Sequence, residues 1–136
     1  MIKIAPSILS ADFTKLGEEI ESVRLGGADL LHFDVMDGLF VPNISIGLPV
    51  LRSVRAATDL SLDVHLMIDR PIRYVRSFCG CGADILTVHV ESDTPENISD
   101  TIDIINSCGK KAGLSVKRGA IFRPCNARLE SILWLM

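Results

Sequence analysis

Short apolar runs alternate with amphipathic stretches along this chain, and that alternation constrains its fold more than any other feature. The apolar runs have the length of strands, and the stretches between them repeat apolar residues at helical spacing. Such an order predicts an α/β fold, with a parallel sheet covered by helices. Strands are predicted at 2–9, 30–35, 62–67, 85–90 and 112–117, and helices at 12–25, 49–57, 71–80, 96–108 and 125–132.

Capping residues support several of these boundaries. Asp12 is the predicted cap of the helix that runs to about Leu25. For the third helix, Asp69 is the predicted cap and Pro71 falls in the first turn, where its fixed φ is favourable. Gly-Ala-Asp followed by two apolar residues occurs twice, at 27–31 and 82–86. In both places glycine ends a helix and a strand follows, which indicates repeated β-α architecture.

The positions of the polar residues favour a barrel over a doubly wound sheet. They lie within or just after the predicted strands, at the end where (β/α)8 barrels hold their active sites. No GxGxxG or P-loop follows the first strand. A full barrel takes about 250 residues, whereas this chain has 136. We therefore predict an incomplete TIM (β/α)8 barrel with about five N-terminal β-α units, in one truncated domain over residues 1–136.

Charge and composition exclude several classes of function. The chain is 48% hydrophobic, which is enough for a core, and its net charge is only −3. This weak charge attracts neither nucleic acid nor anionic membranes, so neither is expected as a partner. The N-terminus lacks the long apolar run and the small-residue cleavage site that are typical of a signal peptide, and no stretch approaches the roughly 20 apolar residues of a membrane span. We expect a cytoplasmic protein with four reduced cysteines.

Two successive predicted strands place polar side chains on one face. Side chains alternate between the two faces of a strand, so every second residue points the same way. The shared face therefore combines imidazole and carboxylate groups with two thioethers. Its members are His32, Asp34 and Met36 on one strand and Asp63, His65 and Met67 on the next.

This combination suits a metal-assisted proton transfer. Imidazole and carboxylate ligands bind Zn²⁺, Fe²⁺, Mn²⁺ or Co²⁺, and three of them leave room for a substrate. A divalent ion polarises a carbonyl, and a carboxylate can then take the proton from the adjacent carbon. Structural explanations also stay open on the residues alone. Asp34 can bond backbone in a turn, His32 can be a core histidine, and the two methionines can be core filler.

Several segments of the chain resemble ribulose-phosphate 3-epimerases. The resemblance covers about residues 1–117, and its most specific part is the long motif HFDVMDGLFVPN at 32–43. The other matching segments are APSILSADF at 5–13, DVHLM at 63–67, GAD at 82–84, VHVE at 88–91 and AGLSVK at 112–117. The resemblance implies a ribulose-phosphate-binding barrel that interconverts D-ribulose 5-phosphate and D-xylulose 5-phosphate through an enediolate.

Individual roles also follow from the resemblance. His32, Asp34 and His65 would ligate one divalent ion, and Asp34 would be the acid/base on one face of the sugar's C3. Ser7 and His65 would contact the sugar phosphate. Met36 and Met67 would line the enediolate pocket, with His89 at its flank. No redox cofactor is implied, and a homo-oligomer is expected because open sheet edges favour self-association.

The chain departs from the family pattern near its C-terminal end. The family continues with Pro-Gly-Thr after Lys117, where this sequence has Arg-Gly-Ala, and residues 121–136 match poorly. The family's second acid/base aspartate and its phosphate loops come from later strands. We therefore expect little epimerisation by these residues alone. A non-catalytic remnant and an epimerase of a hexulose 6-phosphate remain alternatives, whereas a lysine-based barrel enzyme is disfavoured.

Overall fold

A five-stranded parallel sheet, with strands in the order β1-β2-β3-β4-β5, forms the centre of the molecule. The structure, a computed structural model, describes residues 2–117 and 133–135. The strands are β1 Leu30–Met36, β2 Ser61–Met67, β3 Ile85–His89, β4 Lys111–Val116 and β5 Leu133–Leu135. The helices are α1 Leu16–Leu25, α2 Leu48–Ala57, α3 Val75–Gly80 and α4 Pro95–Ser107.

The predicted α/β class is confirmed, because helices connect the first four parallel strands and the sheet is open at its edges. This arrangement agrees with part of a (β/α)8 barrel. The predicted strands at 30–35, 62–67, 85–90 and 112–117 match β1 to β4 within two residues. The predicted helix at 125–132 lies outside the described residues.

The predicted strand at 2–9 is wrong, because this segment is not one of the strands of the sheet. The segment is extended and follows β1, with the His32 N–H donating to the Pro6 carbonyl over 2.9 Å. It forms only an isolated parallel bridge between Ser7 and His32, and a 3₁₀ turn begins at Ile8. Pro6 has no N–H to give to a ladder, and the Ser7 hydroxyl accepts from the Leu9 N–H, which stabilises the turn instead.

One of the two predicted caps is confirmed. Asp12 accepts a hydrogen bond from the Thr14 N–H at 2.9 Å and caps a 3₁₀ turn that leads into α1. Asp69 is not a cap, because its carboxylate accepts from Arg70 Nε at 2.6 Å. Arg70 occupies the cap position with a left-handed φ of 48°. Pro71 is in the first turn, as predicted.

The hydrophobic core lies between the sheet and the helices. Alternate strand residues such as Leu31, Phe33 and Leu66 are almost completely buried there. From the helices, Leu51 of α2 and Ile102 of α4 join the same cluster. Packing of this outer face fixes the direction of the opposite face, because successive side chains alternate. The polar residues of β1 and β2 therefore point together, away from the helices.

Three of the four cysteines lie in the described part of the chain. Cys79, Cys81 and Cys108 are free thiols, whereas the fourth cysteine predicted to be reduced, Cys125, lies outside the described residues. Within the described part of the chain, no helix has the length and hydropathy that crossing a membrane requires.

Candidate functional site

The register between β1 and β2 brings the predicted site residues opposite one another. Asp34 pairs with His65, and His32 pairs with Asp63. Neighbouring strands of a sheet lie about 4.7–4.9 Å apart, so directly opposite residues on one face are close enough to interact. Alternation alone would be preserved if β1 and β2 were shifted by two residues relative to each other. The observed register is therefore needed to bring these side chains together.

His32, Asp34 and His65 converge around one carboxylate oxygen. Asp34 Oδ1 lies 3.2 Å from His32 Nε2 and 3.5 Å from His65 Nδ1. One ligand atom from each of the three residues lies within 4.8 Å of the other two. The metal ligands predicted from the sequence are therefore close together in space.

These three donors fit a divalent metal ion. Metal–nitrogen and metal–oxygen bonds of about 2.0–2.2 Å place tetrahedral ligand atoms about 3.3–3.6 Å apart. The two separations from Asp34 Oδ1, 3.2 and 3.5 Å, are close to that range. Two imidazoles and a carboxylate suit zinc, iron, manganese or cobalt. The group could hold a metal ion, and His32 Nε2 and His65 Nδ1 are the ring nitrogens that face Asp34.

Asp34 is an ionised, largely buried carboxylate. Its residue is 8% exposed, and Oδ2 accepts a hydrogen bond from the Ser7 hydroxyl at 2.6 Å. Burial pushes the pKa of Asp34 up, but bonds from His32, His65 and Ser7 outweigh it and hold the pKa well below the usual range. Its backbone carbonyl accepts from the Ser45 hydroxyl at 2.7 Å. The position of the carboxylate is thus fixed from several sides.

His32 lies between two carboxylates. Its Nε2 faces Asp34, and its Nδ1 lies 2.9 Å from Oδ2 of Asp63. Burial lowers the pKa of His32, whereas hydrogen bonds to Asp34 and Asp63 raise it more strongly, to about 9. Asp63 is 1% exposed. Its bond fixes the orientation of the imidazole ring and leaves Nε2 directed at the proposed metal position.

His65 has a second buried imidazole beside it. The rings of His65 and His89 are nearly coplanar and meet end to end, with centroids 4.9 Å apart and an interplanar angle of 19°. Their Nε2 atoms are 2.8 Å apart. Burial and the nearby charge of His65 lower the pKa of His89 to about 4. The sequence suggested only a flanking position for His89, whereas the structure gives it direct contact with a predicted ligand.

The methionines predicted to contact the substrate lie on the same face of the sheet, nearer the C-terminal ends of the strands. Met36 pairs with Met67 in the register, two residues beyond Asp34 and His65. Met67 is buried, and Met36 is half-buried. Ser7 lies beside the site through its bond to Asp34. Sulfur atoms at these positions offer a polarizable apolar surface.

Two contacts at the site had no counterpart in the interpretation of the sequence. Phe40, from the loop after β1, packs its ring 5.0 Å from the ring of His89. The Lys117 ammonium lies 3.5 Å from the centre of the Phe40 ring and 3.1 Å from the Phe40 carbonyl oxygen. The aromatic residue in an otherwise polar loop was the feature of the sequence that could have indicated a contact here. Its partners depend on tertiary packing and could not be assigned from the sequence.

Solved structures support the fold of the chain. A dihydropteroate synthase from Coxiella burnetii aligns with 92% of this chain and 47% of its own, at a TM-score of 0.58 and 13% identity. A phospho-2-dehydro-3-deoxyheptonate aldolase from Thermotoga maritima aligns with 88% of this chain and 33% of its own, at a TM-score of 0.59 and 16% identity. Identities this low support the fold alone.

Curated relatives are much more similar in sequence. A ribulose-phosphate 3-epimerase of Bacillus subtilis is 57% identical over 84% of this chain and 52% of its own length. The enzyme of Synechocystis is 54% identical over 82% of this chain and 49% of its own. The chloroplastic ribulose-5-phosphate-3-epimerase of Arabidopsis thaliana is 50% identical over 87% of this chain and 42% of its own. The chain thus spans about half the length of the curated relatives it matches.

A sequence model of one protein family covers nearly all of the chain. The model of the ribulose-phosphate 3 epimerase family matches residues 3–135. Together with the identities above 50% to curated members, this match makes the chain a member of the ribulose-phosphate 3-epimerase family.

Proposed function

We propose that this chain carries one acid/base and three metal ligands of an enzyme that interconverts D-ribulose 5-phosphate and D-xylulose 5-phosphate. The observation behind the proposal is the environment of Asp34. One of its oxygens faces His32 and His65, and the other accepts from Ser7. The names of the curated relatives give the substrate, since they are ribulose-phosphate 3-epimerases.

Epimerisation at C3 requires removal of a weakly acidic C–H proton. A divalent ion held by His32, Asp34 and His65 would supply a Lewis acid that polarises the neighbouring carbonyl, which makes this proton more acidic. We propose zinc, iron, manganese or cobalt for this position, because the ligands are imidazoles and a carboxylate. The enediolate formed when the proton leaves would be the common intermediate of both sugars.

Asp34 is the proposed base for one face of C3. Its lowered pKa keeps it ionised at neutral pH, so the carboxylate is ready to accept a proton. The Ser7 hydroxyl and the buried strand restrict the movement of the carboxylate. A base that is already oriented reacts faster because it loses less conformational entropy on reaching the transition state. Met36 and Met67 would border the planar enediolate, and Ser7 and His65 would contact the sugar phosphate.

Hydrogen exchange at C3 tests the role of Asp34 without requiring complete epimerisation. We would incubate the metal-loaded polypeptide with ribulose 5-phosphate in D2O and follow deuterium at C3 by NMR. Asp34→Asn cannot accept the proton, and exchange should fall by about 10²-fold or more. Asp100→Asn makes the same change at an exposed position of α4 and should leave exchange as in the parent.

The same experiment separates the candidate substrates and functions. Exchange in Asp34→Asn at the parent rate would contradict the assigned base. Faster exchange with a hexulose 6-phosphate than with ribulose 5-phosphate would contradict the proposed substrate. If the metal-loaded parent shows no exchange with either sugar, this chain does not carry out the first proton transfer.

A further inference from the structure

The Nε2 atoms of His65 and His89 face each other, so the proton on one ring determines where the other ring can carry its own. Their Nε2 atoms are 2.8 Å apart, which is a hydrogen-bond distance. One of these nitrogens must therefore carry a proton and the other must not, because two N–H groups or two lone pairs would repel at this separation. His65 is 1% exposed and His89 is 3% exposed, so water cannot readily replace the bond.

The direction of this hydrogen bond decides whether His65 can ligate a metal. His65 Nδ1 is the nitrogen that lies 3.5 Å from Asp34 Oδ1, within the proposed ligand cluster. Metal binding requires a lone pair on Nδ1, and a neutral imidazole then carries its proton on Nε2. In that tautomer His65 donates to His89. The opposite direction would leave a proton on Nδ1 of His65, where the metal should bind.

The remaining nitrogen of His89 has a carboxylate nearby. If His89 accepts through Nε2, its proton is on Nδ1, which lies 3.5 Å from Oε2 of Glu91. This buried Nδ1 has no hydrogen-bond partner among the described residues. A small approach of Glu91 would satisfy it. A lone pair on Nδ1 would instead face the negative charge of Glu91, so the carboxylate favours the N–H.

Glu91 is itself held in place by the end of β4. Its Oε1 accepts from the Lys117 N–H at 2.8 Å, which leaves Oε2 for His89. The series of contacts therefore runs from Lys117 through Glu91 and His89 to His65. It ends at Nδ1 of His65, the nitrogen that faces Asp34.

We propose that Glu91 and His89 are positioning residues that select the metal-binding tautomer of His65. Glu91 accepts the Nδ1 proton of His89, His89 accepts the Nε2 proton of His65, and Nδ1 of His65 is thereby left free for the ion. The inference rests on the proposed metal site. Partners that orient a ligating histidine in this way typically change metal affinity by about 10- to 100-fold.

Glu91→Gln tests the inference with almost no change in shape. A glutamine can still accept from the Lys117 N–H through its oxygen, but its amide would donate to Nδ1 of His89. That change reverses both hydrogen bonds and places a proton on Nδ1 of His65. We expect the affinity of the polypeptide for Zn²⁺, measured by calorimetry, to fall about tenfold or more. Glu96→Gln, at an exposed position of α4, should bind Zn²⁺ as the parent does.

The tautomers themselves are visible in long-range ¹H–¹⁵N spectra of the Zn²⁺-loaded polypeptide. The parent should show His65 protonated at Nε2 and His89 at Nδ1. His89→Phe keeps an aromatic ring beside His65 but removes the acceptor, and it should bind Zn²⁺ about as weakly as Glu91→Gln. Folding of each variant would be checked by circular dichroism, and the tautomers of the metal-free forms supply an affinity-independent readout.

Three outcomes decide between the possibilities. Weaker binding together with a changed His65 tautomer in Glu91→Gln supports the inference. Parent-like affinity and spectra in both variants would overturn it, and the contact between His65 and His89 would then be core packing alone. His32→Ala serves as the reference for the site itself, because Zn²⁺ binding that does not depend on His32 would overturn the metal site proposed above and not just the role of Glu91.

Discussion

His32 and Asp63 form an imidazole–carboxylate pair across adjacent strands, with His32 Nδ1 2.9 Å from Asp63 Oδ2. They are directly opposite in the register of β1 and β2. The pair keeps the Nδ1 proton of His32 in place and directs Nε2 toward Asp34, 3.2 Å away. A carboxylate behind a ligating histidine fixes the ring and increases its basicity.

The first prediction follows from this pair. Asp63→Asn should lower the affinity for Zn²⁺ by about tenfold or more, because the amide can donate to Nδ1 and leave the proton of His32 on Nε2. Calorimetric titration measures the effect. Asp100→Asn is the matched control, since it changes an exposed carboxylate in the same way. Equal affinities for Asp63→Asn and the parent would show that Asp63 does not orient the ligand.

The second prediction concerns protons that are released when the metal binds. The pKa of His32 is raised to about 9 in the metal-free protein, so His32 is an imidazolium at pH 7 and must lose its Nε2 proton to bind an ion. We expect release of about one proton per Zn²⁺ at pH 7 and less as the pH rises through 9.

Calorimetry in buffers of different ionisation enthalpy measures this release directly. At pH 7 the observed heat should depend on the buffer with a slope near one proton. Asp63→Asn removes one of the two carboxylates that raise the pKa of His32, so its slope at pH 7 should be smaller. A heat that is the same in every buffer at pH 7 would mean that His32 binds metal without having been protonated.

The sequence predicted most of this site because the relevant information is local. Alternation along a strand places His32 and Asp34 on one face, and it does the same for His65 on the next strand. The contact between His32 and Asp63 required the register of β1 and β2, which depends on tertiary packing and leaves no local signal in the sequence. The failure at Asp69 has a similar origin, since the left-handed φ of Arg70 is fixed by the connection into α3 and leaves no local signal.

The third prediction tests packing on the face of the sheet that points away from the helices. Gly113 of β4 pairs with Thr87 of β3, and a Cβ at this glycine would collide with the Thr87 side chain. Gly113→Ala should destabilise the protein by about 1–3 kcal/mol, as overpacking does. Thr87 is fully buried and its hydroxyl has no hydrogen-bond partner among the described residues. Thr87→Ala should therefore restore much of the loss in the double variant.

Urea denaturation of the four combinations gives the coupling between the two positions. Gly17→Ala is a suitable control because Gly17 lies in α1 and its added Cβ would meet nothing within 4 Å. Alanine there should stabilise the protein by about 0.4–1 kcal/mol. Simple additivity of Gly113→Ala and Thr87→Ala would contradict the collision and assign the cost to the backbone.

The last prediction concerns the buried thiol of Cys79. Burial raises its pKa, and a hydrogen bond with Cys108 adds to this effect, giving a pKa of about 12. The thiol is therefore protonated at pH 8, and only the thiolate reacts with alkylating reagents. Iodoacetamide should modify Cys79 far more slowly in the folded polypeptide than in urea, as peptide mapping by mass spectrometry would measure. In Cys108→Ala the hydrogen bond is lost, so the pKa of Cys79 should fall and its alkylation in the folded state should become faster.

Because the folded pKa lies above the unfolded one, the stability that Cys79 contributes should decline as the pH rises from about 9 toward 12. Cys79→Ala should lack this part of the alkaline decline, and an identical pH dependence in Cys79→Ala and the parent would contradict the assigned shift.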